Sequence, residues 1–284
     1  MPIPHLSIIG ESINDSVPST HALFEANDLP GIMSLAKTQA ELGAAYIDVN
    51  VGPRTPDFMA EMVRSVQRIT DSPLSIDSPD FATAKAGLEA YDLRRGTPIL
   101  NSISPLRLEM FDLLAVKPFR PILLASENLK DGTGTPCLTA EETCAAARLL
   151  LETARRHGIA NADCIIDPGI APLGTDTENN IHRLMGALRL MRSDPAFAGV
   201  HVSVGLSNFT VMLPPKRADG SPVKTPLASA FLTRAMPLGL DMVIGSVKLP
   251  YALLPEGHPA LQCFDDCLAA EGFDVLMRVQ EFYS

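Results

Sequence analysis

Eight times along this 284-residue chain a short β-rich run gives way to an amphipathic helical segment. The runs fall near residues 6–10, 45–49, 73–77, 97–101, 120–125, 163–167, 200–205 and 240–244. Such alternation is the pattern of parallel strands joined by crossover helices, and eight strands are the number that closes a barrel. An open doubly wound sheet also alternates, but it usually has fewer strands and a glycine-rich phosphate turn after the first. The segment IIGESIN at 8–14 lacks that G-x-G-x-x-G spacing. The expected fold is a (β/α)8 TIM barrel filling the chain, 1–284, as a single domain.

Four of the runs end on a polar residue. LSID closes on Asp77, TPILN on Asn101, CIID on Asp167, and HVSVGLSN on Asn208. In a βα-barrel the chemistry sits where strands end, on loops that vary without disturbing the core. Each residue also has a local explanation. Asp77 and Asn101 suit helix N-caps, Asp167 before Pro168 suits a turn, and Asn208 suits a cap for the next segment. As a set they point into one cavity, where every polar group needs a partner. Two carboxylates and two carboxamides offer acceptors to a ligand rich in N–H groups and amide donors to its ring nitrogens and carbonyl. The amino-pyrimidinone edge of a pterin has that donor and acceptor pattern.

Charge and cysteine usage exclude other classes. Lys+Arg 23 against Asp+Glu 33 gives a net charge of -10, which repels a phosphate backbone, so nucleic acid is not an expected partner. The apolar runs are far shorter than the roughly 20 residues that span a bilayer, and MPIPHLSIIG shows neither a basic region nor a cleavage site. A cytoplasmic protein without membrane contact is expected. Five cysteines without a CxxC pair argue against a disulfide framework or a zinc ribbon, and Cys263 and Cys267, four apart, suit one helix face. No metal site is expected. Two long segments, 126–137 and 209–225, rich in Gly, Pro and Thr, are expected to be loops that act as lids, binding loops or docking surfaces. Helix starts are expected at Ser78-Pro79-Asp80, with the proline in the first turn, and at Leu138-Thr139-Ala140-Glu141-Glu142, with a threonine cap.

IIGESIN at 8–14, YIDVNVGP at 46–53, SIDS at 75–78, ILNS at 99–102, IIDPGI at 165–170 and VGLSN at 204–208 resemble, in this order, the pterin-binding methyltransferases. These are the methyltetrahydrofolate:corrinoid protein methyltransferases and the folate module of cobalamin-dependent methionine synthase. The resemblance covers roughly residues 6–246 and implies a dihydropteroate-synthase-like barrel, a homodimer, and (methyl)tetrahydrofolate as substrate. Carried onto this chain, it makes Asp77, Asp167 and Asn101 pterin ligands. It makes Asn208 the mobile amide that meets the methyl-bearing nitrogen, with Gly205 and Ser207 lining the same turn. Asn208 and Asp77 are the catalytic candidates. Glu11 and Asn14 match the polar pair of G-E-x-x-N, and Asp48 and Asn50 match the D-x-N of the second strand. As a period-two pair on one strand face, Asp48 and Asn50 equally suit a polar layer in the barrel floor. The resemblance also implies a corrinoid carried by a separate partner protein, because no D-x-H-x-x-G segment surrounds any of the six histidines.

One departure stands out. Where the family commonly has an arginine, eight residues past the asparagine, this chain has Lys216, followed by Arg217, with Lys224 farther along the loop. Lysine is a point charge without the planar fork of arginine. A basic loop still suits the anionic tail of a folate, and equally a solvated surface. Three alternative functions share the barrel. Dihydropteroate synthase usually ends its seventh strand in serine followed by arginine and lysine, whereas this chain has Ser207-Asn208-Phe209. A non-catalytic folate-binding protein would keep the pocket without transfer. A Schiff-base aldolase needs a lysine in the mouth, for which only Lys248 is near.

Overall fold

The computed structural model describes residues 3–284. In chain order the elements are β1 (Ser7–Asn14), α1 (Pro18–Glu25), α2 (Leu29–Glu41), β2 (Tyr46–Asn50), α3 (Pro56–Ile69), β3 (Leu74–Asp77), α4 (Phe81–Ala90), β4 (Ile99–Ile103) and β5 (Arg120–Leu124). Then come β6 (Glu127–Lys130), β7 (Thr133–Pro136), α5 (Ala140–Arg156), β8 (Ile165–Asp167), α6 (Asn180–Ser193), β9 (His201–Val202), α7 (Leu206–Thr210), α8 (Lys224–Ala235), β10 (Met242–Gly245), α9 (Pro259–Ala269) and α10 (Phe273–Tyr283). Eight parallel strands lie in the order β10-β1-β2-β3-β4-β5-β8-β9. The two ends of that sheet meet: Gly205 pairs with Ile244 in a parallel bridge, and the Ile244 N–H donates to the Val204 carbonyl at 2.9 Å. The result is the expected (β/α)8 barrel.

Alternation along the strands divides its interior into layers. Ile9, Ile99, Ile122, Ile165 and Met242 form an apolar girdle inside the barrel, with Tyr46 and Ile244 packed against it. Side chains two residues apart on a strand face the same way. Stepping two residues toward the carboxyl ends therefore leads from Ile9 to Glu11, from Tyr46 to Asp48, from Ile99 to Asn101 and from Ile165 to Asp167. The girdle supports a polar mouth. At the opposite end Arg120 donates to the Tyr46 hydroxyl at 3.0 Å. A second, larger core lies between the barrel wall and its helices, including the ring cluster Phe209, Phe231 and Phe264.

β1 extends four residues beyond its expected end because its register against β2 shifts between Gly10 and Ile13. The buried Gln39 of α2 accepts the Ser12 N–H at 2.9 Å through its Oε1, and a Cβ on Gly10 would come within 2.5 Å of that oxygen. The bulge thus needs a glycine, and it carries Glu11 into the mouth.

Three expectations are corrected. The segment 126–137 is a β-hairpin, β6 against β7, turning at Asp131 and Gly132, both at positive φ. An Asp-Gly pair is the standard signal for a two-residue hairpin turn. The segment 209–225 is not loop throughout: α7 runs to Thr210, a bridge joins Lys216 to Pro222, and α8 begins at Lys224. The cap before α4 is Asp80, which accepts the Thr83 N–H at 2.8 Å, so Pro79 lies outside the helix. Thr139 caps α5 as expected, accepting from Glu142 N at 3.1 Å, while the Glu142 carboxylate reaches back to Leu138 N at 2.7 Å. Cys263 and Cys267 point their thiols at the carbonyls of Arg278 and Val275 in α10, a packing arrangement between antiparallel helices. Among the described residues, no helix is long and apolar enough to cross a membrane.

Candidate active site

One side of the mouth is a wired carboxyl cluster. Asp48 on β2 is 1% exposed, and its Oδ1 accepts from the Ser75 hydroxyl at 2.5 Å and from the Asn101 amide at 3.3 Å. Asp77 on β3 lies beside it, and its Oδ2 accepts the Asn50 amide at 2.9 Å. Asn50 is fixed in turn, because its Oδ1 accepts the Gly52 N–H at 2.9 Å. Cross-strand register explains the contacts: Asp48 pairs with Ser75, Asn50 with Asp77, and Asp77 with Asn101. Burial, with the charges of Asp77 and Glu11, holds the Asp48 carboxyl well above the usual range. Burial raises Asp77 as well, opposed by its bonds to Asn50 and Asp48 and by the guanidinium of Arg107. Neither Asp77 nor Asn101 caps a helix.

Asp167, at the end of β8, is 6% exposed. It does form the turn its sequence suggests, since Oδ1 accepts the Gly169 N–H at 2.8 Å. Burial pushes its pKa up to about 6, opposed by that N–H and by the positive charge of Arg183. Arg183 on α6 holds the loop from beneath by donating to the carbonyls of Pro168 at 2.6 Å and Gly169 at 3.0 Å, and to the Thr143 hydroxyl at 3.0 Å.

After β9 the turn Gly205-Leu206-Ser207-Asn208 crosses the mouth. Ser207 donates to the Glu11 carboxylate at 2.8 Å, bonding the two sides of the barrel seam, and burial raises the Glu11 pKa. Asn208 is exposed, and its side-chain amide has no hydrogen-bond partner among the described residues. A Cβ on Gly205 would lie 2.9 Å from the Asn208 Nδ2, so glycine leaves room for the amide to fold back over the strand end.

Nine of the candidates, Glu11, Asp48, Asn50, Asp77, Asn101, Asp167, Gly205, Ser207 and Asn208, thus occupy the carboxyl ends of five strands and the turn that follows. Asn14 ends β1 in register with Asn50, and its side chain accepts the Ser16 N–H at 2.8 Å within its own turn. Lys216 is exposed on a hairpin-like loop that is tied to the C-terminus, where the Ala218 N–H donates to the Tyr283 carbonyl at 3.1 Å and Arg217 stacks on Phe282. Ser75, Arg107 and Arg183 take part without having been singled out in the sequence. Ser75 was legible by period two from Asp77. Arg107 and Arg183 carry no motif, because they reach the site from a loop and a helix whose positions depend on the folded barrel.

Residues 13–245 match the family described as pterin binding enzyme. The chain is 29% identical over 244 residues to the methylcorrinoid:tetrahydrofolate methyltransferase of Eubacterium limosum, covering 84% of this chain and 83% of that one. Among solved structures it is similar to dihydropteroate synthase from Xanthomonas albilineans in complex with 7,8-dihydropteroate, with TM-score 0.59 and 17% identity over 95% of this chain and 96% of that one. It is also similar to 7,8-dihydropteroate synthase from Vibrio fischeri, with TM-score 0.58 and 14% identity over 99% and 94%. At such identities these structures speak for the fold alone. The family match spans most of the chain, and with the barrel and its polar mouth it leads to one conclusion: the chain belongs to the pterin-binding enzyme family.

Proposed function

We propose that the protein is a methyltransferase that moves a methyl group between methyltetrahydrofolate and the cobalt of a corrinoid held by a separate protein. The observation that carries this reading is the exposed, unbonded amide of Asn208 at the same end of the barrel as the fixed acceptors. Asp77, Asn101 and Asp167 would bind the amino-pyrimidinone edge, with the carboxylates accepting its N–H groups. Asn208 would then meet the methyl-bearing nitrogen. As the methyl group leaves, the N–C bond breaks with both its electrons staying on nitrogen, and the nitrogen takes up a proton to hold them. An amide N–H meeting that nitrogen would stabilise the transition state without covalent catalysis. The corrinoid supplies the cobalt that accepts or donates the methyl group.

The neighbouring positions favour transfer over dihydropteroate synthesis. Asn208 is neutral, and Phe209 is buried with ring centroids 5.2 Å from Phe231 and 5.9 Å from Phe264. Neither offers a cation to a pyrophosphate leaving group. The relative from Eubacterium limosum, named for methyl transfer between a methylcorrinoid and tetrahydrofolate, supports the same choice. A corrinoid partner would dock over the strand ends. There Val211 and Met212, just past Asn208, and Leu129 on the β6–β7 hairpin present exposed apolar side chains. The deciding experiment mixes the protein with methyltetrahydrofolate and reduced cobalamin and follows the cobalt spectrum, beside an assay with dihydropterin pyrophosphate and 4-aminobenzoate. Methyl transfer is expected. Pteroate formation without transfer would reverse the choice.

A further inference from the structure

The wired side of the mouth contains an atom that its surroundings leave unexplained. Asp48 Oδ1 has two donors, Ser75 and Asn101, whereas Oδ2 is fully buried and has no hydrogen-bond partner among the described residues. The neighbouring carboxyl group is that of Asp77, which lies beside Asp48 and interacts with it. An ionised Asp48 would therefore set a bare anionic oxygen against a second carboxylate in a desolvated interior, which is among the costliest arrangements a protein can hold. The groups facing the pair do not relieve it. Glu11 on β1 adds a third acidic side chain, while Asn50, Ser75 and Asn101 are neutral. Among the described residues the one cation acting on the pair, Arg107, bears on Asp77 and is also bonded to Ser102 at 3.4 Å.

We propose that Asp48 is a neutral carboxylic acid whose proton, on Oδ2, is donated to the Asp77 carboxylate, so that the pair carries a single negative charge. The arrangement satisfies every polar atom of Asp48. It also distributes charge unequally: Asp77 receives donors from Asn50 and Asp48 and the field of Arg107, so it keeps the charge and stays oriented as an acceptor. Asp48 is a positioning residue acting through Asp77. Two close carboxyls sharing one proton titrate as a unit, and loss of the shared proton at alkaline pH would bring two charges face to face. The consequence for folate binding rests on the pterin reading given above, whereas the shared proton is a property of the free protein.

Carbon-13 NMR of the ligand-free wild-type protein, labelled at aspartate carboxyl carbons, tests the proton directly. One aspartate carboxyl is expected to remain neutral at neutral pH, above the ordinary aspartate range, and its signal should vanish in Asp48→Asn. A spectrum in which every aspartate is ionised at that pH overturns the proposal. Binding tests it independently. The Asp48→Asn amide keeps an acceptor and places an N–H where the proton stood, so tetrahydrofolate should bind within about 3-fold of wild type. Asp48→Ala, which leaves Asp77 without its donor, should lose about 10-fold or more. The alkaline fall in wild-type affinity should be absent from Asp48→Asn. Equal losses in the Asn and Ala variants would overturn the proposal as well. A neutral carboxyl in a protein that binds no folate would uphold the shared proton and sink the pterin reading.

Discussion

The two sides of the barrel mouth are built differently. On β2, β3 and β4 the polar side chains bond to one another, so Asp48, Asn50, Asp77 and Asn101 stand as a fixed frame before any ligand arrives. Past β9 the same kinds of group are left free: Asn208 is exposed and unbonded, on a five-residue helix that a glycine precedes. A fixed acceptor array suits recognition, because its ordering cost is met during folding. A free amide suits a step in which the hydrogen bond strengthens only as the nitrogen changes charge. On the methyltransferase reading proposed above, the contrast would assign binding to one side and rate to the other.

The sharpest way to break that assignment is Asn208→Ala. Methyl transfer should fall by about 10- to 1,000-fold, the scale for losing one hydrogen-bond donor to the transition state, while folate affinity falls much less. Stopped-flow transfer to cob(I)alamin read beside equilibrium binding separates the two quantities. Equal losses would place Asn208 with the fixed frame.

Asp77→Ala tests the opposite side and should weaken folate binding by roughly 1 to 3 kcal/mol, because pterin N–H groups would be left unpaired in a desolvated site. Calorimetry measures it. Asn50→Ala, which removes the amide donor to Asp77 together with the acceptor for the Gly52 N–H, should show the same direction with a smaller effect. Unchanged affinity in both variants would remove the frame from recognition.

Asp167 permits a test by pH. Its folded pKa of about 6 lies above the unfolded value of 3.8. Protonation is therefore favoured in the folded state: the associated stability is fully present below the unfolded value and is lost as pH rises through about 6. Asp167→Asn should thus raise thermal stability relative to wild type at neutral pH, by about 1 to 3 kcal/mol, with little difference near pH 4. Folate binding should move the other way, since the variant accepts fewer N–H groups. Thermal melts at the two pH values check the sign.

The smallest effect is expected at Lys216→Ala. Its exposed position leaves stability within about 0.5 kcal/mol of wild type. Any loss should appear in affinity for the folate tail or the partner, and more at low salt. A salt-independent loss in the transfer rate would bring Lys216 into the catalytic side after all.

Local pattern was enough to read the strands of the barrel, because period-two alternation and the polar residue ending each run are properties of short segments. Asp77, Asn101, Asp167 and Asn208 were legible for that reason, and Ser75 was within reach of the same rule. By composition the β6–β7 hairpin reads as loop although Asp131-Gly132 is a hairpin turn signal, because the richness of the segment in Gly and Thr outweighs it. Asn14 and Asn50 show the limit of motif reading. Each is an asparagine at a strand end whose Oδ1 accepts the N–H two residues on, yet Asn50 also donates its amide to a carboxylate on the next strand.

What the sequence by itself determined is the order of alternating elements, the apolar girdle and the polar residue that follows it two places on, since all of these depend on backbone geometry within a strand. What only the tertiary structure decided is who meets whom. Register set Asp48 against Ser75 and Asn50 against Asp77, closure at Gly205 and Ile244 brought Ser207 to Glu11, and the loop's bond to Tyr283 left Lys216 in solvent. Those encounters join residues far apart in the chain, and their energies depend on burial that exists only once the barrel has closed.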